Sequence, residues 1–555
     1  MQHYARQVLC SLTAVLVCLG VCGMTGISYA QANDGEALNM ELFERLLDEL
    51  RDKYVEQVDE EELVRWGIEG ILQHLDPYTD FYERSRIEQL RSVTTGEYGG
   101  IGLYIDEQDG NIVVLSPIEN SPAAEAGLLP GDIIRSVYGR LLSEVPLDRV
   151  IAQIKGDIGT TVNLSVEREG EPELLHFSLI RRIIDIKDIP YYSMIQPATG
   201  YIRLSHFSQK APTVLAAAVH DLEIRGMESL ILDLRGNPGG LLTAAIDIAD
   251  IFVDPGQTIV STRGRNDRYQ VVYRAQRAPL MADMPLVVLV DGVSASASEI
   301  VSGAIQDLNR GLILGSRTFG KGLVQSIVYT DGGAALKLTT MRYYTPNGRS
   351  IDGTDELIQR QVDWDVYQTD EPQVQDSTAQ ANKGIEPDII VETPDQTPIV
   401  RELVRRGVFS RFAIDYLQQA NPEDSLNVGE EVVQAFQQYL ESLRYEPGSQ
   451  LIESVNSLEQ MAEGQNLDAG FYNHLTELRN HVREYNQVAL DTEDPWLVYF
   501  LTEALHWIAD GEAGRIAATL PMDPVVQQSL SILEDAEAYS SYLEETDYTA
   551  VSSTP

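Results

Sequence analysis

The spacing of hydrophobic positions changes along this chain, and each change predicts a different kind of structure. Between residues 36 and 92, Leu38, Leu42, Phe43, Leu46, Leu47 and Leu50 recur at intervals of three and four, as do Leu63, Trp66, Ile68, Ile71 and Leu72. That period predicts amphipathic helices. Asp76-Pro77-Tyr78-Thr79 ends it, because the residue before a proline is pushed out of helical conformation. The apolar stripe suits a core or a partner subunit, and a core is the ordinary expectation. After Tyr98-Gly99-Gly100-Ile101-Gly102-Leu103 the period shortens: strands are predicted over 102–105 and 112–115, then a short helix over 121–128 and a turn at Pro130-Gly131-Asp132 into another strand. From 201 to 350 strands (201–204, 230–234, 286–290, 312–315, 323–329) alternate with helices (211–225, 241–252), which predicts an α/β core. Leu286 to Val290 is apolar throughout and valine-rich, the pattern of a strand buried on both faces. Residues 353–383 are polar without period and read as a loop, before 384–391 returns a strand. Beyond Pro398 the pattern is helical and acidic, with repeats such as Val433, Phe436, Leu440 and Leu443, and 531–555 reads as a disordered tail.

The candidate chemistry lies in 284–325. The buried strand breaks at Asp291-Gly292, and Ser294, Ser296 and Ser298 alternate with alanines before Glu299 and the periodic Ile300, Val301, Ala304, Ile305 and Leu308 open a helix. A strand, a small-residue turn and a helix N-terminus leave backbone N–H groups unpaired where negative charge can be stabilised. A serine hydroxyl there is well placed to attack a carbonyl. Further on, Phe319-Gly320-Lys321-Gly322 leads into a β-branched run, and Lys321 and Gln325, four apart, share one face of a strand. A lysine between glycines and apolar residues can be desolvated, which favours the neutral amine and lets it accept a proton. Serine with neutral lysine is an alternative to Ser-His-Asp. The same residues have plainer uses: small residues at a helix start pack or cap, and Gly-Lys-Gly makes a turn with a solvated lysine. In Asp233-Leu234-Arg235-Gly236-Asn237-Pro238-Gly239-Gly240, two glycines at a helix start free their N–H groups for close approach, as an oxyanion hole requires. An ordinary turn before a helix would look the same.

Composition narrows the setting. With 555 residues and 43% hydrophobic content the chain can build several domains, and a formal net charge of −44 argues against nucleic acid as a partner. The three cysteines, Cys10, Cys18 and Cys22, all fall in the first thirty residues. That region has a weakly basic start (His3, Arg6), an apolar run from Val8 to Ile27 and Ser28-Tyr29-Ala30 before Gln31, the pattern of a secretory signal cleaved after Ala30. The mature chain then has no cysteine for disulfides or thiol chemistry. Left uncleaved, the signal could anchor the protein in a membrane. The eight histidines are scattered, with no His-x-x-x-His pair to hold a metal.

From Tyr98 onward, the Gly-Gly-Ile-Gly turn followed at matching spacing by Ser121-Pro122-Ala123-Ala124 and Pro130-Gly131-Asp132-Ile133-Ile134 resembles a PDZ domain ending near Arg182. In such a domain the loop N–H groups hold a peptide's terminal carboxylate while the peptide adds a strand to the sheet edge. Leu75-Asp76-Pro77-Tyr78-Thr79, the turn at 233–240, the stretches 294–299 and 318–325, Leu336-Lys337-Leu338-Thr339-Thr340 and Tyr343-Tyr344-Thr345-Pro346-Asn347-Gly348-Arg349 follow in order. Together with the PDZ segment they make the chain from about 36 to 391 resemble the bacterial C-terminal processing peptidases, also called tail-specific proteases. The resemblance implies that Ser296 is the nucleophile, Lys321 the general base and Gln325 the residue that orients the lysine. It implies an oxyanion hole from the backbone N–H groups of Gly239 or Gly240 and of Ala297, and carboxylate capture by Gly100, Ile101 and Gly102. No cofactor is implied. One departure matters: where relatives often carry Ile-Arg-Gly, this chain has Ile154-Lys155-Gly156. Lysine lacks the planar donor fork of arginine, so Lys155 as a sensor between PDZ domain and active site is in doubt.

The expected architecture is multidomain α+β. It comprises a signal peptide (1–30), an N-terminal helical domain (36–95), an inserted β-rich PDZ domain (96–184), an α/β serine protease core (185–396), a helical extension (397–530) and the tail. The expected activity is that of an exported endopeptidase of the periplasm or envelope that captures apolar C-terminal tails of protein substrates and cleaves near that end. An adaptor protein and a homo-oligomer built through the helical ends are further expected partners. A Ser-His-Asp mechanism through His206 and Asp233 and a catalytically silent PDZ scaffold are the alternatives.

Overall fold

The computed structural model describes residues 39–545 apart from 84–85, 109, 144, 266–269, 331, 353–383, 393, 395, 420–425, 444–449, 464, 466–467 and 489–493. The signal peptide, the loop at 353–383 and residues 546–555 lie outside the described residues. Two units are distinguished, up to Pro77 and from Tyr78 onward. The first contains α1 (Met40–Lys53) and α2 (Glu60–Gln73). Asn39 and Asp59 cap them by accepting from Leu42 N and Glu61 N. No residue of either helix is buried. The leucine stripe expected to face a core is therefore exposed at Leu46 and Leu50.

The second unit begins with β1 (Asp80–Tyr82) and α3 (Ile87–Thr95). The helical domain expected over 36–95 is thus divided, and its last part joins the protease: β1 pairs antiparallel with a strand at 335–344 through Phe81↔Leu336. Three residues are too short a run for their period to be read from sequence. A two-stranded ribbon, β2 (Glu97–Gly100) with β9 (Arg182–Asp185), brackets the PDZ fold. Between them lie β3 (Leu103–Gln108), β4 (Asn111–Pro117), α4 (Pro122–Glu125), β5 (Ile133–Val137), β6 (Arg140–Leu141), α5 (Leu147–Ile154), β7 (Thr161–Glu167) and β8 (Leu175–Ile180). The sheet order is β3-β4-β5-β7-β8, with β6 on β5, so β3 is an edge strand. Its core, centred on Ile101, Val114, Val150 and Val162, packs α5 against the sheet.

The protease core follows with β10 (Tyr191–Met194), β11 (Thr199–Arg203), α6 (Ala211–Ile224), β12 (Ser229–Asp233), α7 (Leu242–Ala249), β13 (Thr258–Gly264) and β14 (Val271–Arg274). It continues with β15 (Leu286–Val290), α8 (Ala297–Asp307), β16 (Leu312–Gly315), β17 (Leu323–Tyr329), β18 (Ala335–Tyr344) and β19 (Ile389–Ile390). One sheet runs β10-β11-β12-β15-β16-β19, parallel except for β10. A second holds β1-β18-β13-β14, with β17 also on β18. On one face of the parallel sheet, Leu230, Leu232, Val288 and Val290 pack against Leu215, Ala245, Val301 and Ile305 of α6, α7 and α8.

The other face is covered from the far end of the chain. The helical extension comprises α9 (Pro398–Arg405), α10 (Val408–Gln419), α11 (Glu430–Ser442), α12 (Gln450–Glu463), α13 (Ala469–Val488), α14 (Pro495–Thr519), α15 (Pro524–Glu534) and α16 (Ala536–Glu545). The first helices and the start of α14 share a core in which Phe409 stacks on Phe436 at 5.1 Å. Val525, Val526, Leu530, Ile532 and Tyr539 instead pack on Tyr201, Ile231, Val287, Leu289 and Leu314 of the sheet. The Tyr539 hydroxyl accepts from Leu286 N at 3.1 Å. Residues 531–534 and 536–545, expected in a disordered tail, are therefore helical, because a parallel sheet must bury both faces and these helices cover the second.

A buried ion cluster joins the same parts. Asp233, wholly buried at the end of β12, accepts from Tyr201 Oη at 2.7 Å, Arg203 Nη1 at 2.8 Å and Arg235 Nη2 at 2.6 Å. Arg235 reaches on to Asp523, the N-cap of α15, at 2.8 Å. Burial pushes the Asp233 carboxyl up, but the two guanidiniums and their hydrogen bonds outweigh it and hold the group well below the usual carboxylate range. A depressed folded pKa contributes stability above the unfolded value of about 3.9, and that contribution is lost as pH falls through the folded value. Asp233→Asn should therefore destabilise the protein by about 3 kcal/mol at pH 7, since it leaves Arg203 without its carboxylate and Arg235 with Asp523 alone. Denaturant titration should show the gap from wild type narrowing as pH drops below about 4.

Candidate active site

The turn between β15 and α8 is held in one conformation by its own polar groups. Asp291 Oδ1 accepts from Val293 N and Ser294 N, both at 3.0 Å. The Ser294 hydroxyl donates to Leu234 O at 2.9 Å, and the Ser298 hydroxyl donates to Asn237 O at 2.9 Å. Both serines are buried and committed to packing this turn on the 234–237 loop. Ser296 is different: its φ of 55° and ψ of −107° lie outside the regions open to a residue with a Cβ, and its side chain lines a cleft. Of the three serines, Ser296 is the one that lines the cleft.

Glu299, at 0% exposure, ties this turn to the lysine. Its Oε2 accepts from Ser296 N at 2.8 Å and Lys321 N at 2.9 Å, and its Oε1 from Gly320 N at 2.7 Å and Thr318 Oγ1 at 2.6 Å. Burial raises the Glu299 pKa, and these hydrogen bonds oppose the rise. Lys321 sits in the turn ahead of β17 rather than within the strand, and its Nζ donates to Gln325 Oε1 at 3.2 Å. Gln325 in turn donates to Tyr78 O at 3.2 Å, and the Lys321 ammonium lies 4.8 Å from the centre of the Tyr78 ring. A register shift between Val324 and Gln325 against β18 marks a bulge, the feature by which a strand re-aims a side chain. Tyr343, fully buried, closes the floor by donating to Lys321 O.

The glycine turn faces the same cleft. Gly239 has φ 99°, and a Cβ there would lie 2.7 Å from Ala295 O and 2.9 Å from Ser296 Cβ, so only glycine permits this approach. Its N–H, however, donates to Asn237 Oδ1 at 2.9 Å. Among the described residues neither the Gly240 nor the Ala297 N–H donates to another group. Of the two glycines offered by the sequence, Gly240 is thus the one with a donor to give. Ser296, Lys321, Gln325, Gly240, Tyr343 and His206 all line this cleft of about 560 Å³. His206 makes no hydrogen bond to Ser296 or Asp233 among the described residues, and Asp233 is occupied by Tyr201 and two arginines. Nor does any group of three or more His, Cys, Asp or Glu side chains converge as a metal site among the described residues.

In the PDZ domain, Ile101 O accepts from Ala123 N and Gly102 O from Ile118 N, which turns the Gly100–Ile101–Gly102 loop over the start of α4. Leu103 and Ile105 of β3 and Leu147 of α5 lie half buried beside the domain core. Lys155 is away from the cleft: its ammonium lies 4.3 Å from the centre of the Tyr98 ring on β2, and burial lowers its pKa. Glu299, Asn237 and Tyr78 were given no role by the sequence. Ser296-x-x-Glu299 has capping-box spacing, which was a legible signal for the first; the other two act through contacts distant in sequence.

The architecture is that of a PDZ-bearing hydrolase, and comparison with known proteins narrows it. Residues 198–366 match the model for peptidase family S41, and 99–179 match the PDZ domain. Residues 399–533 match a model described as "Probable PDZ-protease, C-terminal helical domain". The chain is 37% identical over 358 residues to the carboxy-terminal-processing protease of Bartonella bacilliformis, which covers 64% of this chain and 74% of that one. It is 30% identical over 358 residues to a "Probable CtpA-like serine protease" of Staphylococcus saprophyticus, covering 64% and 72%. Among solved structures, the photosystem II D1 C-terminal processing protease aligns with 28% identity over 63% of this chain and 92% of its own, with a TM-score of 0.35. The chain belongs to peptidase family S41.

The Glu299 geometry leads to a test. Gln in its place would set an NH₂ group against at least one N–H donor in either orientation, loosening the link between the Ser296 and Lys321 turns. Glu299→Gln should lower kcat by about 10²-fold, the scale of an ångström misplacement, with KM changed far less; steady-state peptidase kinetics would show it.

Proposed function

We propose that this protein is an exported serine endopeptidase that captures the free C-terminus of protein substrates in its PDZ domain and cleaves near that end with a Ser296–Lys321 dyad. One observation carries the reading: Ser296, Lys321 and Gln325 line the same cleft as the Gly240 turn, while Ser294 and Ser298 are spent on backbone carbonyls. Lys321 takes the Ser296 proton, the alkoxide attacks the peptide carbonyl, and the N–H groups of Gly240 and Ala297 stabilise the tetrahedral anion. Gln325, tethered to Tyr78 O, holds the lysine amine in place. The resulting ammonium then protonates the leaving nitrogen, and water hydrolyses the acyl-enzyme with the neutral lysine again as base. A glutamine cannot take a proton, so its part is orientation.

The tail-capture step is supported by β3 being the edge strand of its sheet, with no strand paired on its outer side among the described residues, and by the adjacent apolar Leu103, Ile105 and Leu147. An extended peptide there adds a strand, its carboxylate at the Gly100–Gly102 loop and an apolar terminal side chain on the groove. Export to the periplasm or envelope is supported by the signal pattern in the first thirty residues.

The test is cleavage of an unfolded reporter ending in an apolar residue with a free carboxylate. Ser296→Ala and Lys321→Ala should each lower kcat on the order of 10⁴-fold, whereas His206→Ala retains activity. Wild-type turnover should climb from neutral to alkaline pH, because only the neutral amine is a base. Amidating the reporter's C-terminus should raise KM. Binding without cleavage by wild type would favour a scaffold instead.

A further inference from the structure

The ribbon that joins the PDZ domain to the protease is pinned by a lysine that its own helix does not favour. β2 and β9 pair from Glu97↔Asp185 to Gly100↔Arg182, so the ribbon runs directly into the Gly100–Gly102 loop. At its protease end the carboxylates of Glu97 and Asp185, one from each strand, both accept from Lys210 Nζ, Asp185 at 2.8 Å. Lys210 is the N-cap of α6 and provides no side-chain cap. A cation at a helix N-terminus opposes the macrodipole, so the helix does not account for a lysine here. The two carboxylates do, and their hydrogen bonds, Asp185 first, raise its pKa.

The residues just before Lys210 face two ways. Toward the ribbon, Gln209 N donates to Thr94 O at 3.1 Å, and Ser208 packs on Gly96, where an added Cβ would lie 3.1 Å from its own. Ser208 Oγ donates to Asp188 Oδ2 at 2.6 Å, and Ser205 N to Asp188 O at 2.8 Å. Toward the cleft, Phe207 forms a parallel bridge with Gly240: its N–H donates to Gly239 O at 3.3 Å and its carbonyl accepts from Leu241 N at 2.8 Å. A Cβ on Gly240 would lie 2.4 Å from Phe207 O, so there is no slack at that contact. Residues 205–210 are thus a shim between the PDZ ribbon and the turn that holds the oxyanion donor.

We propose that Lys210 is a positioning residue for turnover: by clasping Glu97 and Asp185 it fixes the ribbon on the shim, and through Phe207 it sets the Gly240 N–H against Ser296. This rests on the reading of Gly240 as an oxyanion donor. Lys210 does not line the cleft, and it grips the ribbon at Glu97↔Asp185, the end away from the Gly100–Gly102 loop, so its loss acts on kcat rather than on tail capture.

The test uses the full chain and the free-tail reporter, with Lys210→Met, Lys210→Arg, the double variant Glu97→Gln/Asp185→Asn, and that double variant combined with Lys210→Met. Lys210→Met should lower kcat about tenfold with KM within about twofold of wild type, and Lys210→Arg should recover most of the loss. The carboxylate variant should show the same loss, and adding Lys210→Met to it should lower kcat no further, the signature of groups acting as one unit. An unchanged kcat in Lys210→Met, or losses that simply add, overturns the inference. Wild-type turnover that survives Ser296→Ala overturns the site reading and this inference with it. Turnover that needs Ser296 yet ignores Lys210 overturns this inference alone.

Discussion

A single carboxylate, Glu299, sets the relation between the two turns on which the site depends. It is removed from water entirely and accepts four donors, one from the serine turn and three from the chain at 318–321. Burying such a charge is unfavourable by several kcal/mol unless its lone pairs are satisfied, so the two segments are held together as strongly as the charge is penalised alone. A protonated acid would turn one acceptor into a donor facing N–H groups, so the arrangement is built for the ionised form. The strained backbone of Ser296, worth roughly 1–3 kcal/mol, is tolerable because this anchor and the flanking hydrogen bonds of Ser294 and Ser298 over-determine it.

What the sequence disclosed follows the range of the interactions involved. The apolar run of β15 announced burial on both faces, and that is how it lies. It could not announce that the second face is covered by α15 and α16. Their apolar residues, Val525, Val526, Leu530, Ile532 and Tyr539, are interspersed with acidic and small polar ones, so the segment reads as solvated until the sheet is beside it. Strand β1 was hidden for a related reason: its stability comes from the register with β18, not from a period of its own.

Within the site the same division holds. Strand, small-residue turn and helix start were local patterns and marked a stretch that reaches the cleft, but by local pattern alone three serines fitted it equally. The choice among them is made by Leu234 O and Asn237 O, two acceptors on a loop some sixty residues earlier. Likewise two adjacent glycines were indistinguishable until the Asn237 side chain took the N–H of the first. Lys321 and Gln325 met as their spacing implied, yet by way of a turn and a bulge rather than one regular strand face.

The departure at Lys155 looks different once Arg181 is considered. The fork of donors missing at 155 is present at this buried arginine, which caps the end of α5: Nε donates to Ile154 O at 2.9 Å and Nη2 to Gln153 O at 2.7 Å, while Nη1 reaches Thr160 Oγ1 at 2.9 Å. A Cβ on Gly156 would lie 3.1 Å from its Nε, so the glycine after Lys155 makes room for that fork. Arg181 immediately precedes β9, so α5 is fastened to one strand of the ribbon. The Gly100–Gly102 loop fastens β3 to the other by chain continuity. The two walls of the PDZ groove therefore hang on the two strands of one ribbon, and a peptide wedged between those walls would load both strands. Lysine at 155 need not reach the cleft for groove and protease to be mechanically joined, because the connection runs through the backbone pairing of β2 with β9.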